Sequence, residues 1–164
     1  MSCLLPNNAI LVGKTLQLFR TSLETTNTTS KRVSTEKIAL DTKGIKEDKF
    51  YGKDLHRSVL LTSTSSYRLA GEHGIDLSYG ALGENILMDY TPYDLDAGTQ
   101  IQIGEVLLEI VQHCTLCKGL STLDSRLPKL LQRDRGVFAK VIQEGFISLE
   151  DEIYIIDRHI TLHK

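Results

Sequence analysis

The sequence predicts a mainly β fold, a closed or nearly closed β-barrel with a few short helices. Short apolar or alternating segments recur at fairly even spacing along the 164 residues, as is typical of barrel strands. Only two modest helical segments lie among them, whereas a doubly wound parallel sheet needs a helix between most strands. The length and the hydrophobic content of 41% fit one domain with an ordinary core over residues 1–164.

The N-terminal part is predicted to contain strands separated by polar turns. Gly13–Arg20 alternates apolar and polar side chains, the period of a half-buried strand. Most of residues 21–35 are Ser or Thr, so this segment is predicted to be a polar loop. Extended structure is expected again at Lys37–Leu40, a charged turn at Gly44–Gly52 and a strand at Ser58–Thr62.

The remaining residues predict two helices and further strands. Ser65–Glu72 has Ser and Thr residues that cap its start and a glycine that can end it. Pro128–Arg133 begins with a proline, which suits the first turn of a helix. The other segments are a strand entered through a tight turn, Leu82–Met88; a hairpin, Thr99–Ile103 with Val106–Val111; and a last strand pair, Val137–Gln143 with Ile153–Ile156.

Charge and composition exclude several classes of function. A net charge of -2 and a pI near 6.2 give no electrostatic footprint for nucleic acid. A local basic cluster, interrupted by acidic residues, favours a small anionic ligand over a polymer; it comprises Lys43, Lys46, Lys49, Lys53 and Arg57. Three cysteines argue against a disulfide framework. Because neither a signal peptide nor an apolar run of about 18 residues is recognised, we expect a cytoplasmic protein outside the membrane.

Cys117 is the residue most suited to chemistry. It follows the apolar run Val106–Val111 and stands beside Lys118 and close to His113. Positive neighbours lower the pKa of a thiol, and the resulting thiolate attacks electrophiles and binds soft metals. The alternative is that Cys117 is an inert packing residue, as many cysteines of small domains are.

Cys114 and Cys117 form a Cys-x-x-Cys pair that raises two other hypotheses. One is a redox dithiol, although that motif normally opens a helix after a strand and the surroundings here are predicted to be β. The other is a zinc site with His113, although structural zinc usually needs a second pair of ligands. In an extended chain positions 114 and 117 face opposite sides, so both hypotheses need a turn at residues 115–116.

Four segments then resemble, in order and spacing, the MOSC domain found at the C-terminus of molybdenum cofactor sulfurases and in small standalone bacterial proteins. They span residues 14–157 and are Gly44–Asp48 with Tyr51, Gly52 and His56–Leu61; Leu82–Ile86; Ile101–Gln112 leading to Cys117; and Gly136–Ile142 with Gly145 and Leu149–Ile153. The chain departs from the family at Glu47 and Glu150, where Gly is usual, and at Leu116, where Pro is usual. A tight turn made with Glu instead of Gly is tolerable if φ stays negative.

The resemblance implies a MOSC-like β-barrel and a molybdenum–pterin cofactor. Cys117 would be the molybdenum ligand or would carry sulfur as a persulfide. The terminal phosphate of the pterin calls for Arg or backbone amides. Arg57 is the first candidate for that anion, followed by Lys49 and Lys53, with His56 assisting or capping a strand and Asn85 bonding the pterin or fixing a turn. Pyridoxal phosphate is not expected, because the desulfurase part of the larger relatives is absent.

Two functions follow from this resemblance, and the sequence leaves both open. One is a small reductase of N-hydroxylated compounds, which would need an external electron-donor protein because no flavin, nicotinamide or iron–sulfur motif is recognised. The other is a non-catalytic sulfur carrier or binding module that receives sulfur from a donor protein or docks on a partner molybdoenzyme.

Overall fold

A computed structural model of the protein describes residues 5–6, 8–26, 29–115 and 118–157. The strands are β1 Ala9–Thr26, β2 Thr29–Thr35, β3 Lys37–Asp41, β4 Gly44–Ile45, β5 Val59–Ser63, β6 Ile86–Met88, β7 Gln100–Ile103, β8 Val106–His113, β9 Val137–Gln143, β10 Gly145–Ser148 and β11 Glu152–Ile156. The helices are α1 Thr64–Glu72, α2 Lys118–Leu123 and α3 Leu127–Leu130, with a 3₁₀ turn at Leu55–Arg57. None of these described helices has the length and apolarity that crossing a membrane requires.

Seven strands close into a barrel, which confirms the predicted fold class. Their order is β1-β6-β5-β9-β8-β7-β11, and β11 pairs again with β1. The β5–β6 pair is parallel and the others are antiparallel. Along its length β1 pairs with three strands, β11, β6 and β2. Register shifts between Leu11 and Gly13 and between Thr15 and Gln17 allow this long strand to bend.

The barrel core follows from the alternation of side chains along the strands. In β8, Val106, Leu108 and Ile110 are buried while the residues between them are partly exposed. With Leu18, Leu61 and similar residues they form one continuous apolar cluster. A smaller cluster lies under α1 to α3. Each fully buried aliphatic side chain contributes about 1.5–3 kcal/mol through removal from water.

The segment predicted as a polar loop at residues 21–35 is instead a strand hairpin, so that prediction is wrong for the described residues. β1 continues to Thr26 and β2 begins at Thr29, and the register pairs Thr21 with Arg32 and Thr25 with Ser30. Threonine is β-branched and favours strands. Backbone pairing between β1 and β2 orders this segment, although its polar composition resembles that of a loop.

The last two predicted strands are present as β9 and β11, but they do not pair with each other. β9 pairs with β8 and β5, whereas β11 pairs with β7 and β1. β10 intervenes and joins β3 and β4 in a separate three-stranded sheet. The hairpin of β7 and β8 is confirmed. Helix α2 was not predicted, and α3 is shorter than the predicted helix, because its last turn ends at Leu131.

The two Glu–Asp turns have positive φ at the glutamate, so the condition of a negative φ is not met. φ is 67° at Glu47 and 64° at Glu150, a region that costs roughly 1–2 kcal/mol for a residue with a Cβ. The following aspartates stabilise the turns. Asp48 accepts hydrogen bonds from the Thr21 and Phe50 amides at 2.5 and 3.0 Å, and Asp151 accepts one from the Ser148 amide at 2.7 Å.

Candidate functional site

A cavity of about 490 Å³ opens at one end of the barrel and has a predominantly basic lining; we call it the basic cavity. Its cationic residues come from four different parts of the fold and are Arg32, Lys53, Arg57 and Arg135. Two carboxylates, Asp48 and Asp54, and two aromatic rings, Phe50 and Phe138, complete much of the wall. The lining therefore offers positive charge and flat apolar surface together.

Arg57 is held at the cavity wall by the 3₁₀ turn that precedes β5. Its Nε donates to Asp54 Oδ2 at 2.7 Å, and its Cζ lies 6.0 Å from the centre of the Phe138 ring. Asp54 also caps the turn by accepting from the His56 amide. The hydrogen bond from Arg57 lowers the pKa of Asp54, which keeps the carboxylate ionised and the guanidinium oriented.

Arg135 and Cys114 lie where the basic cavity adjoins a smaller cavity of about 230 Å³, and both residues line both cavities. Arg135 donates from Nε and Nη2 to the Leu82 carbonyl, each at 3.1 Å. Cys114 is a free thiol with 3% of its surface exposed. Gly136, which follows Arg135, packs tightly, since an added Cβ would lie 2.8 Å from the Leu61 carbonyl oxygen.

Arg32 reaches the cavity from β2. Its Nη1 donates to Thr21 Oγ1 at 2.9 Å, and its Nη2 donates to the Glu84 carbonyl. Burial lowers the pKa of Arg32, against the opposing effect of the negative charges of Glu84 and Asp48. Neither Arg32 nor Arg135 was predicted. Arg32 lies in the segment interpreted as a loop, and the one signal for Arg135 is its place directly before the Gly136–Ile142 motif.

Asn85 and Glu84 hold the wall of the cavity together. Asn85 Oδ1 accepts from the Leu60 amide at 2.9 Å and its Nδ2 donates to the Phe19 carbonyl at 3.3 Å, so the side chain ties β5 to β1. Glu84 is fully buried and accepts from the Tyr67 hydroxyl at 2.6 Å. Burial, and then the charge of Glu84, raise the pKa of Tyr67. The Gly-Glu-Asn turn is thus anchored to three elements.

The sequence-based candidates fall into three groups. Arg57, Lys53 and Asn85 line the basic cavity. Lys49 and His56 are not among its lining residues; the Lys49 ammonium lies 5.9 Å from the centre of the Phe50 ring, and His56 is exposed. Cys117, the candidate catalytic and metal-binding residue, lies outside the described residues.

The surroundings of the Cys-x-x-Cys pair differ from the prediction. β8 ends at His113 and α2 begins at Lys118, so the segment connects a strand to a helix and its surroundings are not all β. Cys114 donates its amide to the Gly136 carbonyl at 2.9 Å. Within the described part of the chain, no three His, Cys, Asp or Glu side chains are grouped to hold a metal ion.

A third cavity, of about 450 Å³, lies beside β10 and β11 and has the opposite charge; we call it the acidic groove. Its carboxylates are Glu105, Glu150, Asp151 and Glu152. The Lys37 ammonium already covers the exposed Phe146 ring at 4.2 Å. The Glu152 carboxylate accepts from the Tyr154 hydroxyl at 2.6 Å, and the Glu150 carboxylate lies 3.4 Å from the Lys14 ammonium.

The sequence matches the family model described as MOSC domain over residues 41–154. The fold is similar to the crystal structure of the YuaD protein from Bacillus subtilis, with a TM-score of 0.73, 18% identity and coverage of 88% of this chain and 95% of that chain. It is also similar to the crystal structure of YiiM from Geobacillus stearothermophilus, with a TM-score of 0.65, 18% identity and coverage of 94% of this chain and 76% of that chain. For YiiM from Escherichia coli the TM-score is 0.63, the identity is 18%, and 86% of this chain and 70% of that chain are covered. No curated protein matches the sequence.

Proposed function

We propose that this chain, which belongs to the MOSC domain family, binds a molybdenum–pterin cofactor in the basic cavity. The family is associated with binding of the molybdenum cofactor. The observation that carries the proposal for this chain is the convergence of Arg57, Lys53 and Arg135 on one cavity of about 490 Å³.

The chemistry of the lining fits such a cofactor. Its positive groups suit a phosphate, because Arg offers planar, charge-assisted hydrogen bonds to oxyanions. The two carboxylates, one of them paired with Arg57, only partly offset this charge, because the lining has four cationic side chains. The rings of Phe50 and Phe138 provide apolar surface for a flat heterocycle.

The residues of the chain take distinct parts in this proposal. Arg57, Lys53 and Arg135 hold the anionic end of the cofactor, with Lys49 and His56 contributing charge from outside the lining. Asn85 fixes the wall through Leu60 and Phe19 and retains a second amide hydrogen for the pterin. Cys117 supplies the thiolate for molybdenum. When bound, the molybdenum centre supplies two-electron redox chemistry, and the proposed reaction is reduction of N-hydroxylated compounds with electrons from a donor protein.

The alternative is a sulfur carrier in which Cys117 holds a persulfide for a partner molybdoenzyme. A persulfide is an anion, and the positive charge of Arg135 beside Cys114 would favour an anionic sulfur species in this part of the molecule. This alternative needs the same thiol and no bound metal, so the two functions differ in what the purified protein contains.

Elemental analysis for molybdenum and zinc tests the proposal, on protein produced in a host that makes the pterin cofactor. We expect near-stoichiometric molybdenum in the wild type and in Cys114→Ala, and its loss in Cys117→Ala. Absence of molybdenum from the wild type would reject metal ligation, and a persulfide detected on Cys117 would then favour the carrier. Zinc lost in both variants would identify the Cys-x-x-Cys pair as a zinc site.

A further inference from the structure

The smaller cavity of about 230 Å³ differs in chemistry from the basic cavity that it adjoins; we call it the apolar cavity. Leu120, Pro128 and Leu131, which belong to the helical part of the chain between β8 and β9, supply its apolar surface. Leu120 and Leu131 are 2% and 1% exposed. Among the described lining residues only Arg135 is charged, so the apolar cavity suits an uncharged group.

The position of the apolar cavity relates it to the proposed cofactor. Cys114 and Arg135 line both cavities, so the two are immediate neighbours. Thr115 also lines the apolar cavity, and Cys117 follows it by two residues, a length of chain that spans at most about 7 Å. A group held by the Cys117 thiolate would therefore be close to the apolar cavity.

The volume of the apolar cavity limits the size of its ligand. An engineered apolar cavity of about 150 Å³ binds a benzene molecule, so a cavity of about 230 Å³ accommodates a phenyl ring with a small substituent. This volume is less than half of the 490 Å³ of the basic cavity, so the two suit ligands of different size. Packed protein interiors leave few spaces larger than a water molecule, and packing of the helices on the barrel does not by itself explain this one.

We infer that the apolar cavity binds an uncharged aryl group, about the size of a phenyl ring, of the N-hydroxylated substrate. The inference rests on the proposed reductase function and adds to it a substrate class, aryl N-hydroxy compounds such as aromatic hydroxamic acids. The N-hydroxyl end of such a substrate would point to the wall formed by Cys114 and Arg135, because the positive charge of Arg135 attracts its oxygen atoms.

Nuclear magnetic resonance of the protein labelled at its leucine methyl groups tests this inference, with benzamide and acetamide as probes. Reduction of the corresponding hydroxamic acids, with two electrons from the donor protein and two protons, breaks the N–O bond and gives these amides and water. Leu131→Met and Leu108→Met assign the two leucine signals, since exchange of Leu for Met largely conserves volume. We expect benzamide to shift the Leu131 signal and not that of Leu108, which lies in the barrel core.

The same titration compares the two probes. We expect acetamide to bind at least about tenfold more weakly than benzamide, because each buried methylene group changes affinity by about that factor or more. An unshifted Leu131 signal, or equal affinities for the two amides, would overturn the inference.

Gln132→Phe and Gln112→Phe form a matched pair of variants. Both glutamines are exposed, but Gln132 lines the apolar cavity and Gln112 is not among its described lining residues. A phenyl side chain at position 132 would occupy the space for the ligand, so we expect benzamide to bind at least about tenfold more weakly to Gln132→Phe and unchanged to Gln112→Phe. Equal benzamide affinities for the two variants would overturn the inference. If Gln132→Phe does not fold, the wild-type titration decides.

Molybdenum content, measured separately, distinguishes failure of this inference from failure of the proposed function. Protein that contains molybdenum, but in which benzamide does not shift the Leu131 signal, would overturn this inference alone. Protein without molybdenum would reject the proposed reductase, and the assignment of the apolar cavity to its substrate with it.

Discussion

The basic cavity and the acidic groove have similar volumes, about 490 and 450 Å³, but opposite charge and different construction. In the basic cavity the side chains of Asn85 and Arg32 are connected by hydrogen bonds to the backbone of neighbouring segments, whereas Lys53 and Arg57 are exposed. In the acidic groove the carboxylates of Glu150 and Glu152 are paired with neighbouring side chains at the surface, while those of Glu105 and Asp151 accept backbone amides. The two regions therefore differ in the sign of their charge and not in their volume, and only the basic cavity suits an anionic ligand.

Each region contains one of the two Glu–Asp turns, so local backbone conformation does not produce the difference. Glu47 and Glu150 have nearly the same positive φ. Asp48 is 4% exposed and lines the basic cavity, while Asp151 lines the acidic groove and is less buried. The charges that surround each turn decide what that region attracts.

The largest expected effect is on stability, from removing a buried polar link. Asn85→Ala deletes the hydrogen bonds to the Leu60 amide and the Phe19 carbonyl and leaves both groups unsatisfied, which should lower the free energy of unfolding by about 3 kcal/mol. Tyr154→Phe in the acidic groove removes a bond between surface groups and should leave the free energy of unfolding nearly unchanged. Urea denaturation measures both values. Equal losses for the two variants would remove the contrast between the regions.

The same contrast between buried and exposed groups predicts an alkaline effect. Burial raises the pKa of Tyr93 to about 12. The folded state therefore keeps this proton at a pH where an unfolded tyrosine loses it. The stabilisation is fully present below about pH 10 and is lost as the pH rises towards 12, by roughly 2 kcal/mol. We expect Tyr93→Phe to make the fall of the unfolding free energy above pH 10 less steep without abolishing it, because burial also raises the pKa of Tyr67. A fall as steep as that of the wild type would assign the effect elsewhere.

Phosphate binding tests the difference in charge directly. Arg57→Met removes a cation of the basic cavity and should weaken binding of inorganic phosphate about tenfold. Glu152→Gln removes a charge of the acidic groove and should leave the dissociation constant unchanged. Calorimetry at constant ionic strength measures both. A tighter complex in Glu152→Gln, with no change in Arg57→Met, would place the phosphate at the acidic groove.

The smallest expected effect is a change in the free energy of unfolding at the two Glu–Asp turns. Glycine accepts a positive φ without the steric cost that a Cβ imposes, but it loses more entropy on folding. Glu47→Gly should therefore raise the free energy of unfolding by about 0.5 kcal/mol. Glu150→Gly should gain less, because it also loses the exposed pair with Lys14. Thermal melting of both variants checks the order; destabilisation by Glu47→Gly would show that its side chain stabilises the turn.

The sequence predicts the barrel and part of the site for identifiable physical reasons. Alternation and turn residues reveal β7, β8 and β9, and the basic cluster points to Arg57. Arg32 was not predicted because its Ser/Thr-rich surroundings resemble a loop. The hairpin there depends on pairing of β2 with β1, which the composition does not indicate. The positive φ values at Glu47 and Glu150 depend on caps formed after the chain has folded, by Asp48 and Asp151. Arg135 gains its position from a contact with the distant Leu82 carbonyl.

Closure of the barrel by β1 and β11 has a consequence for how the protein is made. The register places Ala9 against Ile156, so the first third of β1 lacks its partner β11 until nearly all of the described chain has been translated. At 5–20 residues per second, the delay is on the order of ten seconds. During that time an open edge that includes the apolar residues Ile10 and Leu11 is exposed to other nascent chains, and a chaperone that covers this edge should raise the yield of folded protein.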